Sequence, residues 1–273
     1  MAEKAEIEVR MSKKCVQEES PVELERKITA MRKGGRILGN LLRDLKEYVQ
    51  PGMTGKEIDA WVRAEVGRRG ATVAYDDLEE PFPGAICISV NDELVHGAPT
   101  DEILEEGDKV SFDMVIGYGG YYVDSAFTML VGGKGSPAVK QMIATTERAL
   151  WAGIEVARAG ARIGDIGYAV EKVLRKGKLG VIENYVGHGI GKEMHQAPDV
   201  PNYGVRGHGY LLKAGDTICI EPMSCLGKPA NYVDRGSNWT VKMKDGSIGC
   251  HCEHTILITE DGCEVLTLPE ETI

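Results

Sequence analysis

The chain has 273 residues, ordinary apolar content (42%), 32 basic against 42 acidic residues and a formal net charge of −10; this length suits one large domain or two intimate halves, and the missing basic run excludes a nucleic-acid footprint. Seven cysteines, an odd number with no C-x-x-C pair, argue against a disulfide framework or a structural zinc knuckle and for a reducing cytosol. No window approaches 18 apolar residues and the charged opening "MAEKAEIEVRMSKKCVQEES" lacks an apolar h-region, so neither secretion nor membrane spanning or binding is expected.

Residues 1–20 read as a flexible N-terminal extension. A long helical pattern runs from Val22 to Tyr48 and closes in "QPGMT"; Thr54-Gly-Lys-Glu57 is a capping box that opens a second helix to about Arg68. Strands follow around 85–90, 109–116 and 121–131. Within them "SFDMVIGYGGYYVDSAFT" (111–128) has the pattern of a β-hairpin. A tight turn at Tyr118-Gly119 would set Asp113 directly opposite Asp124 on one face. Two ionised carboxylates ~4.5–5.5 Å apart repel by roughly 3–4 kcal/mol at an effective dielectric near 20. Either the two acids are unrelated and solvated, or a cation sits between them. Ser136-Pro137, an N-cap followed by proline, opens a helix to about Ala159, and a short helix at about 164–176 precedes a second strand-rich region.

Shifting the sequence by 108 positions lays "EYVQPGMTGKEIDAWVRAEV" (47–66) over "EVARAGARIGDIGYAVEKVL" (155–174), and "LEEGDKVSFD" (104–113) over "LKAGDTICIE" (212–221). Two segments sharing one offset point to a duplicated unit: a single catalytic domain over 21–273 whose halves cover about 21–133 and 134–273. The overlay puts Glu221 where the first half has Asp113. The second acid of the repeated hairpin is then Glu253 in "CHCEHTILIT", 32 residues after Glu221 where the first pair is 11 apart. The fold class expected is α/β (α+β), two pseudo-twofold-related halves of antiparallel sheet covered by helices, with the acids meeting at the junction.

Four inward carboxylates without a basic partner nearby need metal. In "GHGIGKEMHQAP" (187–198) the glycines around His188 argue for a loop whose backbone approaches something closely. His195 follows in the same segment, and His96 stands at the end of a strand in "VNDELVHGAP". An oxygen-rich set with one imidazole suits Co, Mn, Fe or, less exclusively, Zn. Bridging carboxylates would hold two such ions ~3.5–4 Å apart, an arrangement suited to activating water and clamping a tetrahedral intermediate. Together these features describe hydrolysis of a peptide or similar amide.

The motifs "NDELVHGAP", "SFDMV", "YYVDSAFT", "GHGIGKEMHQAP", "ICIEPM" and "CEHTILIT", in this order, resemble those of type I methionine aminopeptidases, within the pita-bread metallopeptidases, over about residues 22–267. The resemblance implies a dinuclear centre of two divalent ions held by Asp113, Asp124, His188, Glu221 and Glu253, with Asp124 and Glu253 bridging and Glu221 also the general base. It implies that His96 and His195 contact the scissile amide and the tetrahedral intermediate. It further implies a cytoplasmic, monomeric enzyme acting on the N-termini of nascent polypeptides, at or near the ribosome, with a small second residue preferred. Prolidases and their kin usually carry an arginine shortly before the last ligand; this chain has "HCEHT". The loop before "CISVN" departs from the family: in "AYDDLEEPFPGA" (74–85) only Phe82, with Cys87 beyond it, matches the methionine pocket, to which Met194 and Trp239 are added. That departure leaves a pita-bread aminopeptidase of Xaa-Pro type as an alternative, and a non-catalytic binding protein as a more remote one. His208 is expected on an exposed loop and His254 on the face away from the site. His251 could share the face of Glu253 but receives no role, Cys250 and Cys252 are taken as ordinary strand residues, and "DDLEEP" as a solvated run.

Overall fold

The structure, a computed structural model, describes residues 20–270; the expected flexible extension therefore lies, except for Ser20, outside the described residues. Helix α1 (Pro21–Tyr48) starts at a capping box in which the Ser20 hydroxyl accepts from the Glu23 N–H and the Glu23 carboxylate accepts from the Ser20 N–H. Helix α2 (Gly55–Arg68) starts at the Thr54/Glu57 box read from the sequence. Helix α3 (Pro137–Val156) is capped by Ser136 and ends three residues earlier than expected, because Ala157 adopts an extended backbone. Helix α4 (Ile163–Lys176) completes the set.

Among the described residues, nine strands form one antiparallel sheet. Its order is Thr72–Val73, Lys109–Tyr118, Tyr121–Leu130, Glu253–Ile258, Thr217–Ile220, Gly187–Gly189 and Gln196–Val200, with Cys87–Val90 beside Lys109–Tyr118 and Cys263–Val265 beside Glu253–Ile258. Two large apolar clusters flank the sheet, one built mostly from the first half but taking in Ile190, Met194, Cys219, Leu257 and Leu266, the other from buried residues of the second half. Leu38, Leu41, Leu45, Ile58 and Val62 of α1 and α2 pack with Val110, Phe112, Met114 and Val123, whereas Met142, Leu150, Ile166 and Val170 of α3 and α4 pack with Ile218, Ile220 and Ile256. Each of these side chains contributes about 1.5–3 kcal/mol of burial, which is what holds the strands, and so the acids on them, in place. The seam between halves is the pairing of Tyr121–Leu130 with Glu253–Ile258, where Glu253 faces Ala126.

The 108-residue offset recurs in the hydrogen bonds. The Gly52 N–H donates to the Leu104 carbonyl (2.8 Å) and the Gly160 N–H to the Leu212 carbonyl (2.9 Å); Lys56 donates to Thr100 and Gly164 to His208, both at 3.0 Å. Side chains repeat too: Asp108 accepts from the Glu105 N–H and Asp216 from the Lys213 N–H, each at 2.8 Å.

One expected register is corrected. Tyr118 pairs with Tyr121, so the turn is centred on Gly119-Gly120 rather than Tyr118-Gly119. The physical reason is backbone sign: the glycines take φ of 61° and 84°, the all-positive pair of a two-residue hairpin turn, which Tyr118 would resist. Asp113 accordingly faces Ala126, and Val115 faces Asp124. The acids are diagonal neighbours, still on one face because strand side chains alternate with period two.

The longer connection between Glu221 and Glu253 forms strands Met223–Cys225, Asn231–Val233, Val241–Met243 and Gly249–His251. They join two small sheets, one recruiting Gly180–Val181 and the other Glu93–Val95 from the first half.

Candidate metal centre

Five side chains meet at the seam. Asp113 and Asp124 come from the two strands of the first hairpin, Glu253 opens its strand, Glu221 follows Thr217–Ile220, and His188 occupies the middle of Gly187–Gly189. His188 Nε2 lies 3.8 Å from Asp124 Oδ2 and 3.7 Å from Glu221 Oε1. Its Nδ1 stands 2.9 Å from the Gly189 carbonyl. A proton on Nδ1 satisfies that contact and leaves the Nε2 lone pair aimed at the acids, the tautomer a metal ligand requires.

Asp113, Asp124, His188 and Glu253 are all buried. Burial, then Glu253 and Asp113, push the Asp124 carboxyl well above the usual range. Burial and then Asp113 do the same to Glu221, and burial with Glu221 and Asp113 to Glu253. Burial also raises Asp113, against the opposing pull of His251. Burial lowers His188 to about 3. Among the described residues, ion-pair contacts to these acids come only from the imidazoles of His188 and His251.

Asp124 Oδ1 and Glu253 Oε1 are buried with no hydrogen-bond partner. Unpartnered buried oxygens on converging carboxylates are the state that a divalent cation relieves. Two sets of potential ligand atoms each lie within 4.8 Å of one another: Asp124, His188, Cys219 and Glu253, and Glu221, His251 and Glu253. Glu253 belongs to both. The residues present therefore fit divalent metal.

His195 is exposed, with its ring edge-on to His188 at a centroid separation of 4.3 Å. His96 is half-buried, edge-on to Tyr185 at 6.0 Å, and holds a φ of 56°. A positive φ at histidine is strain of the sort that surrounding structure must impose. The pocket residues expected from the sequence also come together: Phe82, Cys87 and Met194 share one apolar cluster against which Trp239 packs. Sequence reasoning missed Tyr75, which meets Phe82 edge-on at 5.2 Å and accepts a hydrogen bond from the Cys87 thiol at 3.6 Å. It also missed Cys219, and it gave no role to His251, whose ring lies among the acids. His254 points away, toward Thr267 and Trp151, and His208 is exposed, both as expected. Cys250 and Cys252 sit in the second apolar cluster. Of the acidic run, Asp76 pairs with Arg63 and Asp77 accepts from the Tyr122 hydroxyl, so its start is tethered while Glu79 and Glu80 are exposed.

An antiparallel sheet that gathers carboxylates and an imidazole from duplicated halves defines a metallopeptidase of the pita-bread class, and the chain belongs to metallopeptidase family M24, whose pattern matches residues 29–260. It is 40% identical over 252 residues to the methionine aminopeptidase of Aquifex aeolicus, covering 89% of this chain and 96% of that protein. The crystal structure of the Thermotoga maritima methionine aminopeptidase superimposes with a TM-score of 0.86 at 35% identity, covering 93% and 100% of the two chains. The prolidase of Pyrococcus horikoshii is more distant, with a TM-score of 0.70 at 25% identity and coverage of 91% and 64%. Family and cluster together make this a divalent-metal-dependent peptidase. No described helix is long and apolar enough to cross a membrane.

Proposed function

We propose that this chain hydrolyses the first peptide bond of newly made proteins to release the initiator methionine, using two divalent ions drawn from Co, Mn, Fe or Zn. The observation that carries the reading is the convergence of Asp113, Asp124, His188, Glu221 and Glu253 beside a pocket of aromatic and sulfur side chains. Asp113, Asp124, His188, Glu221 and Glu253 would hold the ions, with Asp124 and Glu253 bringing one central carboxylate from each half. Bound there, the ions would supply Lewis acidity, which lowers the pKa of water to about 7 and offsets charge on a carbonyl oxygen.

The chain's own groups do the rest. Glu221, whose carboxyl burial and Asp113 push upward, accepts the proton of the attacking water and returns it to the leaving amine. His195 and His96 donate to the amide and to the tetrahedral oxygen. Tyr75, Phe82 and Trp239 offer ring edges and faces to an unbranched thioether, a favourable sulfur–aromatic contact, with Cys87 and Met194 completing the wall. A small second residue is preferred, and the enzyme works as a cytosolic monomer on chains emerging from the ribosome.

The test is kcat/KM on Met-Ala-Ser against Ala-Pro-Ser with cobalt- or manganese-loaded protein. A preference for Met-Ala-Ser of at least about 100-fold is expected, near the upper range of discrimination by an apolar pocket. Cleavage of the Xaa-Pro peptide alone rejects the reading.

A further inference from the structure

We propose that His251 is a sixth protein ligand, its Nε2 donating to the ion between Glu221 and Glu253, so that each of the two ions carries one imidazole. The inference rests on the dinuclear reading above. The His251 ring is buried to 2% exposure, with Nε2 3.5 Å from Glu221 Oε2 and 3.7 Å from Glu253 Oε2, and Nδ1 4.0 Å from Asp113 Oδ2. Neither ring nitrogen has a hydrogen-bond partner.

That lack separates it from His188, whose Nδ1 is taken up by the Gly189 carbonyl. A neutral imidazole has one N–H and one lone pair. If Nε2 holds the proton, the Nδ1 lone pair faces Asp113; if Nδ1 holds it, the Nε2 lone pair faces two glutamates. Either tautomer aims a lone pair at a carboxylate, a repulsive contact inside a buried site. Hydrogen bonding alone therefore cannot satisfy the ring, and the separations of 3.5 and 3.7 Å are longer than good hydrogen bonds. They do suit atoms sharing one ion: two ligands each about 2.0–2.2 Å from a metal stand at most about 4.4 Å apart. With the proton on Nδ1, that N–H points toward Asp113, the carboxylate partner that commonly orients a ligating histidine. The ligand atoms of Glu221, His251 and Glu253 form a compact set.

The test is calorimetric titration of the metal-free full chain with cobalt(II), alongside His251→Gln, His251→Asn and the exposed-loop control His208→Gln. Cobalt-edge X-ray absorption counts the imidazoles. The wild type is expected to bind two ions with one imidazole per cobalt on average. Both His251 variants should keep one tight ion and bind the other about 100-fold or more weakly, beyond the 10–100-fold cost of losing an outer partner, whereas His208→Gln should match the wild type. A wild-type chain with two ions but one imidazole per pair overturns the proposal and leaves the dinuclear reading intact; so do His251 variants that bind both ions with unchanged affinity. A wild type that binds fewer than two ions, with the variants identical to it, overturns both. Because the wild-type imidazole count is decisive by itself, misfolding of a variant, checked by circular dichroism, does not protect the idea.

Discussion

The two halves of this molecule share a backbone plan and differ in how they reach the metal centre. In the first, Gly119-Gly120 reverses the chain at once, and Asp113 and Asp124 stand diagonally on a continuous ladder. In the second, the ladder of Thr217–Ile220 with Glu253–Ile258 stops at His254–Ile220, and the connection leaves the sheet before returning through Gly249–His251. The seam preserves equivalence where it matters, since Asp124 and Glu253 come from the two adjoining central strands. The difference teaches that the shared plan pairs acids across the halves, whereas the longer second connection adds what the first hairpin lacks: Trp239, packed against the Phe82 cluster, and His251, buried among the acids.

The equivalence can be broken most severely at its centre. Asp124→Asn and Glu253→Gln should each cut metal affinity by more than about 100-fold, exceeding the cost of losing an outer partner, and should abolish turnover together with retained metal, measured by elemental analysis. Unequal losses would show that one half dominates. His195→Ala should leave both ions bound and lower kcat by about 10²–10³, the usual cost of one donor to a developing oxyanion; full activity would remove His195 from the reaction.

Lys109 and Thr217 occupy the same place in the duplicated segments and are both buried, yet only Lys109 brings a charge. Its Nζ donates to the carbonyls of Ser89 (3.0 Å) and Glu93 (2.9 Å), and burial lowers its pKa to about 8. The unfolded chain keeps that proton to about 10.4. Between the two values the unfolded state binds more protons, so this lysine makes stability rise with pH from about 8 to 10.4, and its cost is fully present below 8. Lys109→Met should flatten that rise by up to about 3 kcal/mol, measured by denaturant unfolding at pH 7 and pH 10. An unchanged pH slope would show that the lysine titrates alike in both states.

The smallest effect checks the shared plan itself. Gly52 and Gly160 hold φ of 95° and 83° with open space where a Cβ would go. Alanine at either should cost only backbone strain, roughly 1–2 kcal/mol, and the two thermal shifts should agree.

Much of this was legible because it follows from local chemistry. The capping box at Thr54 and the N-cap at Ser136 set helix starts, and one shared offset places Glu221 over Asp113, with Glu253 following as the second acid of the repeated unit. The hairpin register is set not by the symmetric placement of Asp113 and Asp124 but by turn chemistry, in which two adjacent glycines outrank a tyrosine. Tyr75 and His251 escaped for other reasons. The placement of Tyr75 depends on a loop folding back, a tertiary event that leaves no periodicity. Strand alternation already puts His251 on the face of Glu253 without showing how near the acids it comes.

The most direct measurement is hydrolysis of Met-Ala-Ser by protein stripped with a chelator and then reloaded. If divalent ions are what make the buried acids of both halves tolerable and competent, activity disappears on stripping and returns with cobalt or manganese as two ions bind per chain. Undiminished cleavage by the stripped protein, with metal absent by elemental analysis, would contradict it.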